Sequence, residues 1–210
     1  MKTNRFRWAT LLSALGILAL IGPQIASADD ADPPSRVARL SYTSGAVSFS
    51  PAGTDDWVTP ELNRPITIGD KLWTDKDSRA ELGLGNAFIR LDSQTGFSFL
   101  NLDDQTTQIR ITEGTINVRV KDLGENEIFE VDTPNLAFTI QHPGSYTLNV
   151  NENGDVTTID VRDGQGEVTG GGTTYSLQAG ESDAFTGTDQ IAENTGSLPP
   201  DDDFDTWCAD

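Results

Sequence analysis

The sequence predicts an all-β fold: a single domain of short antiparallel strands and hairpins, stacked irregularly as a β-solenoid-like coil or as a sandwich. Two observations support this prediction. Apolar and polar residues alternate with a period of two along most of the chain, which places one face of each extended segment in the core. Clusters of Gly, Asn and Asp interrupt these runs at the spacing that short strands require.

The strand pattern is clearest in the second half of the chain. The alternating runs are Ile109 to Ile111, Ile116 to Val120, Tyr146 to Val150 and Val156 to Val161. Turn sequences lie at 151–155, 163–166 and 170–172. We therefore expect consecutive strands joined by tight turns, and little helix.

A weak internal repeat is centred on Gly45, Gly114 and Gly164. Each glycine has apolar residues five and three positions before it and, in most cases, two and four positions after it. Each unit predicts a strand, a tight glycine turn and a second strand. Such units bury their apolar faces either as coils of a solenoid or as two packed sheets. The unequal separations between the three glycines argue against a strict solenoid.

The first 28 residues have the composition of a cleavable secretory signal peptide. Lys2, Arg5 and Arg7 precede an uncharged apolar run at 9–22, which is shorter than the roughly 20 residues of a membrane-spanning helix. The small residues at 26–28 form a cleavage site, so we expect cleavage between Ala28 and Asp29. This predicts a periplasmic or secreted mature protein without stable membrane insertion; the alternative is an uncleaved anchor.

The mature chain is strongly acidic. The full chain has a net charge of −19, with 14 Lys and Arg against 33 Asp and Glu. Three of the basic residues and none of the acidic ones lie in the first 28, which leaves 11 against 33 and a charge of −22. Nucleic acid and anionic membranes attract Lys and Arg clusters, so neither is expected as a partner.

The residues that could carry chemistry favour structural interpretations. His142, the only histidine, lies in a Gln-His-Pro-Gly turn without the partners of a catalytic triad or a zinc site. The loop at 151–155 resembles a calcium loop faintly but lacks the distal bidentate Glu, so a hairpin turn is expected. Cys208 is the only cysteine, so no intramolecular disulfide forms. We predict no catalytic, cofactor or metal site, and no enzymatic activity.

Four residues are candidates for an interaction surface: Trp57, Asp70, Trp73 and Arg90. Tryptophans are frequent hot spots of binding surfaces, although large aromatic residues in β domains also serve as core or edge cover. Trp73 follows Leu72 and points to the opposite face of its strand, beside Asp70. Arg90 lies between two apolar residues, which predicts a solvated position and an ion pair with Asp92 or Glu81.

An ordered series of segments resembles the FecR (ferric-citrate regulator-like) domain family of bacterial envelope proteins. The series covers roughly residues 40 to 185, and its segments are 57–60, 65–74, 78–82, 89–91, 114–118, 129–134, 144–146 and 177–181. The resemblance implies an all-β, solenoid-like periplasmic module that acts by contact with an envelope protein or cell-wall component and is not an enzyme. Signalling members combine the domain with a transmembrane helix and a cytoplasmic sigma-regulating segment. The cleavable signal points instead to the stand-alone exported type.

The expected organisation is a signal peptide at 1–28, an acidic, proline-containing linker at 29–37, the FecR-like domain at 38–187 and an acidic, flexible tail at 188–210. Two other functions are compatible with the residues. One is a β-solenoid protein that binds or cleaves envelope polysaccharide. The other is a structural part of a larger envelope protein.

Overall fold

A computed structural model describes residues 36–209, which lie in one compact unit. The predicted signal peptide, its cleavage site at Ala28 and Asp29, and most of the predicted linker lie outside the described residues. The described part contains sixteen strands and one short helix, so the all-β fold class is confirmed. No helix among residues 36–209 is long and apolar enough to cross a membrane.

The strands follow one another with short connections. In chain order they are β1 (Ala38–Ser44), β2 (Val47–Ser50), β3 (Pro65–Ile66), β4 (Lys71–Thr74), β5 (Arg79–Gly83), β6 (Ala87–Leu91), β7 (Thr95–Leu102), β8 (Thr106–Val120), β9 (Ile128–Asp132), β10 (Ala137–Ile140), β11 (Gly144–Val150), β12 (Val156–Asp163), β13 (Gln165–Gly170), β14 (Thr173–Gln178), β15 (Glu181–Thr186) and β16 (Ala192–Ser197), followed by helix α1 (Asp203–Ala209).

All sixteen strands form one continuous open sheet that the long strand β8 divides into two halves. Sheet A has the order β3-β1-β5-β6-β8-β11-β12-β15-β16, and sheet B has the order β2-β4-β7-β8-β9-β10-β13-β14. Neighbouring strands are antiparallel except β8 and β9, which pair in parallel from Thr106 opposite Ile128 to Arg110 opposite Asp132.

The core lies between the two halves. The alternating residues that the sequence pattern singled out, such as Ile109, Ile116 and Ile159, are fully buried in one hydrophobic cluster. Aromatic rings from the two sheets meet there: Phe138 of sheet B lies 5.6 Å from Tyr146 of sheet A, measured between ring centroids. The period-two pattern therefore marks the inner faces of two packed sheets.

The three repeat glycines mark the places where the chain passes from one sheet to the other. Gly45 joins β1 of sheet A to β2 of sheet B, Gly114 divides β8 between the sheets, and Gly164 joins β12 to β13. Their φ angles of 73°, 92° and 94° lie in the region that favours glycine. The flanking strands of each unit do not pair with each other, so these turns are corners between sheets and not hairpin turns.

The C-terminal segment differs from the flexible tail expected at 188–210. Residues 192–197 form strand β16, which pairs along β15, and residues 203–209 form helix α1. The side chains of Phe204 and Cys208 are buried. The acidic composition obscured this order, because the charges lie on the exposed side of the segment or pair with arginines of the sheet.

Candidate interaction surfaces

Trp57 is accessible, as expected for a contact residue. It lies in the connection between β2 and β3 with 49% of its surface exposed, and its neighbour Val58 is 47% exposed. The backbone of Val58 exchanges two hydrogen bonds of 2.8 Å with Phe49 of β2. The segment that carries Trp57 therefore also covers the outer edge of sheet B.

Asp70 holds a turn together. It is buried, and its carboxylate accepts hydrogen bonds of 2.9 Å from the backbone N–H groups of Ala52 and Thr67. These two bonds fix the loop after β2 against the turn before β4. Both carboxylate oxygens face the protein's own backbone, which is a structural arrangement.

Trp73 lies half-buried on β4, opposite in direction to the buried Leu72, as predicted. Its ring packs against Gly96 of β7, and its Nε1 donates a hydrogen bond of 3.2 Å to Asp75. Trp73 covers the outer face of sheet B at a position where the neighbouring strand has no side chain.

Arg90 forms the ion pair with Glu81 that the sequence suggested, at 2.7 Å between Nε and Oε2. It is not solvated, because helix α1 covers it and leaves 8% of its surface exposed. The guanidinium also donates to the backbone carbonyl of Cys208 and lies 5.3 Å from the ring centroid of Trp207. The other predicted partner, Asp92, pairs with Arg79 at 2.9 Å.

The outer face of sheet A, the face turned away from the core, is rich in arginine. Four strands each contribute one arginine to it: Arg79 from β5, Arg90 from β6, Arg119 from β8 and Arg162 from β12. Residues 201–209, which we call the C-terminal strap, lie across this face. The contacts of the strap extend from Arg162 on β12 to Tyr42 on β1, whose ring lies 5.5 Å from that of Trp207.

The strap is held by charge and by aromatic contacts. Arg162 pairs with Asp201 at 2.6 Å and with Asp205 at 2.7 Å. Arg79 donates to the backbone carbonyl of Asp203 at 3.3 Å, and its guanidinium lies 5.5 Å from the ring centroids of Phe204 and Trp207. Burial raises the pKa of the Cys208 thiol to about 12.

The sequence analysis did not identify this helix, although two signals for it exist. Phe204, Trp207 and Cys208 have the spacing of one helix face. Asp202 and Asp205 form a capping box: Asp202 accepts from the N–H of Asp205 at 2.8 Å, and Asp205 accepts from the N–H of Asp202 at 3.2 Å. The acidic composition of residues 201–203 favoured the prediction of a flexible tail, and that prediction used neither signal.

The two ends of the sheets differ in how their edges are protected. At the N-terminal end, β3 begins with Pro65, which cannot donate to a further strand, and Val58 covers β2. At the C-terminal end, β14 and β16 pair on one side only among the described strands, and neither contains Lys or Pro. All six residues of β16 are exposed.

The positions considered for catalysis or metal binding have structural roles. His142 is exposed in the turn between β10 and β11, and its carbonyl accepts a hydrogen bond from Tyr146. Asn151 closes the β11–β12 hairpin through Asp155 and Val156. Within residues 36–209, no three His, Cys, Asp or Glu side chains are grouped so that they could hold a metal ion.

Comparisons with known proteins agree with the resemblance seen in the sequence. Residues 70–167 match the family model described as FecR protein. No curated protein matches the chain. Two crystal structures of a candidate anti-sigma factor from Parabacteroides distasonis ATCC 8503, at 2.50 Å and 1.65 Å resolution, share the fold with TM-scores of 0.53.

These structures are 16% and 15% identical to the chain, and the match covers 60% of this chain and 59% of theirs. At that identity the likeness concerns the fold alone. The family match spans β4 to β13, which includes the long strand β8 and two of the three glycine corners. Over residues 70–167, which lie within the one compact unit, the chain therefore matches the FecR family.

Proposed function

We propose that this chain is an exported module of the bacterial envelope that regulates or senses by binding a partner protein, without catalysis. The FecR domain and the fold shared with an anti-sigma-factor-like protein support a regulatory or sensory role. The observation that carries the binding role is the open edge strand β16, whose outer backbone groups have no partner among the described strands.

An open strand edge is a binding surface because its free N–H and C=O groups accept an extended segment as an additional strand. Proteins usually block such edges with Lys, Pro, bulges or covering segments. This molecule blocks its N-terminal edges through Pro65 and Val58 and leaves β16 uncovered and free of Lys and Pro. We therefore place the partner's extended segment alongside β16.

The edge of β14 lies close to that of β16. The Tyr175 hydroxyl of β14 donates to the carbonyl of Ile191, directly before β16, at 3.3 Å, and the Tyr175 ring lies 5.4 Å from that of Phe185 on β15. A partner bound at β16 thus has a second open edge within reach. Trp57, half-exposed at the opposite end, is a separate candidate contact.

Export is proposed from the sequence of the first 28 residues. Their basic start, short apolar run and small residues at 26–28 are typical of a cleaved secretory signal. Expression of the full chain in its own cells, followed by N-terminal sequencing of the protein from the periplasm or medium, tests this. A mature N-terminus at Asp29 is expected; retention of Met1 in the membrane fraction would contradict cleavage and support the uncleaved anchor, and recovery of the chain in the cytoplasm would contradict export.

The binding role is tested by affinity capture from an envelope extract of the same bacterium. The bait is residues 29–210, either unmodified or carrying Asn194→Lys and Thr195→Lys, which place one charge on each side of β16. The matched control is Asn149→Lys, the same exchange at an exposed position of β11, which is paired on both sides. We expect one set of proteins with the unmodified bait and the control, and its loss with the β16 variant.

Two results would contradict the proposal. One is recovery of the same partner at the same yield with the β16 variant, which would place binding elsewhere. The other is recovery of no protein together with release of sugar from peptidoglycan or capsular polysaccharide by the same bait. That outcome would favour the polysaccharide-cleaving alternative, and replacing one carboxylate should then abolish the release.

A further inference from the structure

The arginines of the outer face of sheet A stand out against the charge of the whole molecule. Only 11 Lys and Arg residues follow position 28, against 33 Asp and Glu. Four of these basic residues, Arg79, Arg90, Arg119 and Arg162, nevertheless lie on one face and contact one segment of nine residues. Arg79 and Arg90 also pair with Asp92 and Glu81 of the same sheet, whereas the ion pairs of Arg162 among the described residues are with this segment alone, so Arg162 favours an acidic ligand.

The strap has the properties of such a ligand. It presents Asp201 and Asp205 to Arg162, and it places Phe204 and Trp207 against the guanidinium groups of Arg79 and Arg90. Aromatic rings under guanidinium groups and paired carboxylates are the contacts with which arginine-rich surfaces recognise peptides. The strap therefore resembles a peptide bound to the sheet through its side chains and through the backbone carbonyls of Asp203, Cys208 and Ala209.

The strap is also separate from the domain's own core. Phe204 and Cys208 are buried against the outer face of sheet A and do not belong to the hydrophobic cluster between the sheets. A helix of seven residues is not stable by itself in water, so α1 depends on this surface for its structure. Residues 199–202, which lead into it, are exposed. The strap can thus leave without opening the core.

The fit between the strap and the face is incomplete at one end. A pocket of about 510 Å³ lies beside Cys208 and Ala209, and its lining includes Asn117, Arg119 and Ser145. Asn117 is 1% exposed and donates to the hydroxyls of Ser145 and Thr147, but its Oδ1 accepts no hydrogen bond from any described residue. A buried acceptor without a donor favours a ligand that supplies one.

We propose that the outer face of sheet A is a binding surface for a short acidic helix with aromatic residues three positions apart, and that the C-terminal strap occupies it as a releasable intramolecular cover. A partner protein that offers the same helix together with a hydrogen-bond donor toward Asn117 displaces the strap. This surface is distinct from the β16 edge, so the inference stands independently of the proposed binding at that edge.

The test uses residues 29–210 and a labelled synthetic peptide of residues 199–209 with Cys208→Ala. The strap is released in the chain by Phe204→Ala and Trp207→Ala, which leave the arginine face unchanged. We expect the peptide to bind this variant at least about tenfold more tightly than the unmodified chain, the scale on which loss of two interface aromatic residues acts. A peptide carrying the same two alanines is the control ligand.

The arginine face is tested within the released variant. Adding Arg162→Gln should weaken peptide binding, because Arg162 holds two carboxylates of the strap. Arg110→Gln is the matched control, since Arg110 is exposed on β8 in the half that belongs to sheet B. Equal loss with both variants, or equal binding of the peptide to the released and unmodified chains, would overturn the proposal.

Cys208 provides a second readout that does not depend on the peptide. It is the only cysteine of the chain, and it is buried because the strap holds it against sheet A. Its alkylation rate therefore measures strap release. We expect slow alkylation in the unmodified chain and fast alkylation in the released variant, with the β-sheet signal of the circular dichroism spectrum retained in both. Alkylation as fast in the unmodified chain as in the free peptide with Cys208 retained would show that the strap is not bound.

Discussion

Among single residues, Tyr146 has the largest structural role outside simple packing. Its ring is fully buried, and its hydroxyl donates to the carbonyl of His142 at 2.6 Å and accepts from the N–H of Gln165 at 2.9 Å. One hydroxyl thus joins the β10–β11 turn to the start of β13. Burial raises its pKa to about 12, so the group remains a donor throughout the physiological range.

Replacing Tyr146 by Phe should lower the free energy of unfolding by about 1–3 kcal/mol, because two partly buried backbone groups lose their partner. Urea unfolding followed by fluorescence measures this. Tyr175→Phe is the matched control: its hydroxyl makes one longer bond, of 3.3 Å to Ile191, in a half-buried position. An equal or larger loss in the control would contradict the role given to Tyr146.

Gly114 is the residue on which the division of β8 depends. Its φ is 92°, and a Cβ there would lie 2.4 Å from both the carbonyl oxygen of Gln94 and the Oγ1 of Thr95. A side chain would therefore cause backbone strain and would also clash with the chain where β7 begins, at Gln94 and Thr95. The sequence pattern around this glycine reflects a geometric requirement.

Gly114→Ala should cost about 1–3 kcal/mol through backbone strain and a comparable further amount through overpacking. Gly85→Ala isolates the first contribution, because Gly85 has a φ of 86° and no atom within 4 Å of the added Cβ. Chemical unfolding of both variants gives the two costs. The interpretation fails if the two substitutions destabilise the protein equally.

At the level of elements, the β15–β16 hairpin contains a buried carboxyl group. Asp183 is 2% exposed and accepts from the N–H of Gly196 at 3.2 Å. Burial, opposed by that hydrogen bond and reinforced by Glu181, raises the pKa of Asp183 above 3.8. Burial together with Asp183 and Glu181 also raises the pKa of Glu193 on β16. Protonation of these two carboxyl groups as the pH falls should therefore stabilise the β15–β16 hairpin.

Asp183→Asn should stabilise the protein at neutral pH and flatten its stability between neutral and acid pH. A carboxyl whose pKa is higher in the folded state opposes folding when ionised, and this cost disappears as the pH falls through the folded pKa. Thermal unfolding across this range measures the effect. Asp103→Asn should change the pH dependence of stability in the opposite direction, because backbone N–H groups of Gln105 and Thr106 lower the pKa of Asp103. Unchanged pH dependence in Asp183→Asn would refute the assignment.

In the molecule as a whole, the negative net charge and the burial of several carboxyl groups both make the folded state more stable when carboxyl groups are protonated. Residues 29–210 contain 33 acidic and 11 basic residues. Burial raises the pKa values of Asp132, Asp160, Asp183 and Glu193, and at Asp132 the neighbouring Glu130 adds to the shift. Each of these groups favours the folded state more when protonated. The protein should therefore be more stable at mildly acidic than at alkaline pH.

We expect the melting temperature to rise as the pH falls from neutral through the raised pKa values of these carboxyl groups, by about 2–4 °C for each kcal/mol gained. Salt separates the two causes, because at 1 M the Debye length is about 3 Å and surface repulsion is screened while burial is not. Added salt should raise the melting temperature at pH 8 and leave part of the pH dependence. A melting temperature that falls with decreasing pH at both salt concentrations would contradict this account.

Much of the fold could be predicted because the information is local. The alternating runs at 109–120 and 146–161 correspond to buried strand faces, and Gly45, Gly114 and Gly164 have the positive φ angles that favour glycine in a turn. Of the candidate site residues, Arg90 pairs with Glu81, one of the two partners that the sequence suggested, but it is buried and not solvated as expected. Its cover comes from residue 208, which is 118 positions away, and no local pattern contains that information.

Periodicity and backbone sterics are local properties, so the sequence alone predicts the fold class, the inner faces of the strands and tight turns at the three glycines. The folded structure was needed to see which strands share a sheet, that the glycine turns are corners between sheets, which edges stay open and what the acidic C-terminal residues contact. Those features depend on pairing between distant segments. The four arginines of sheet A are far apart in the sequence, and only the order of its strands brings them to one face, where the strap binds.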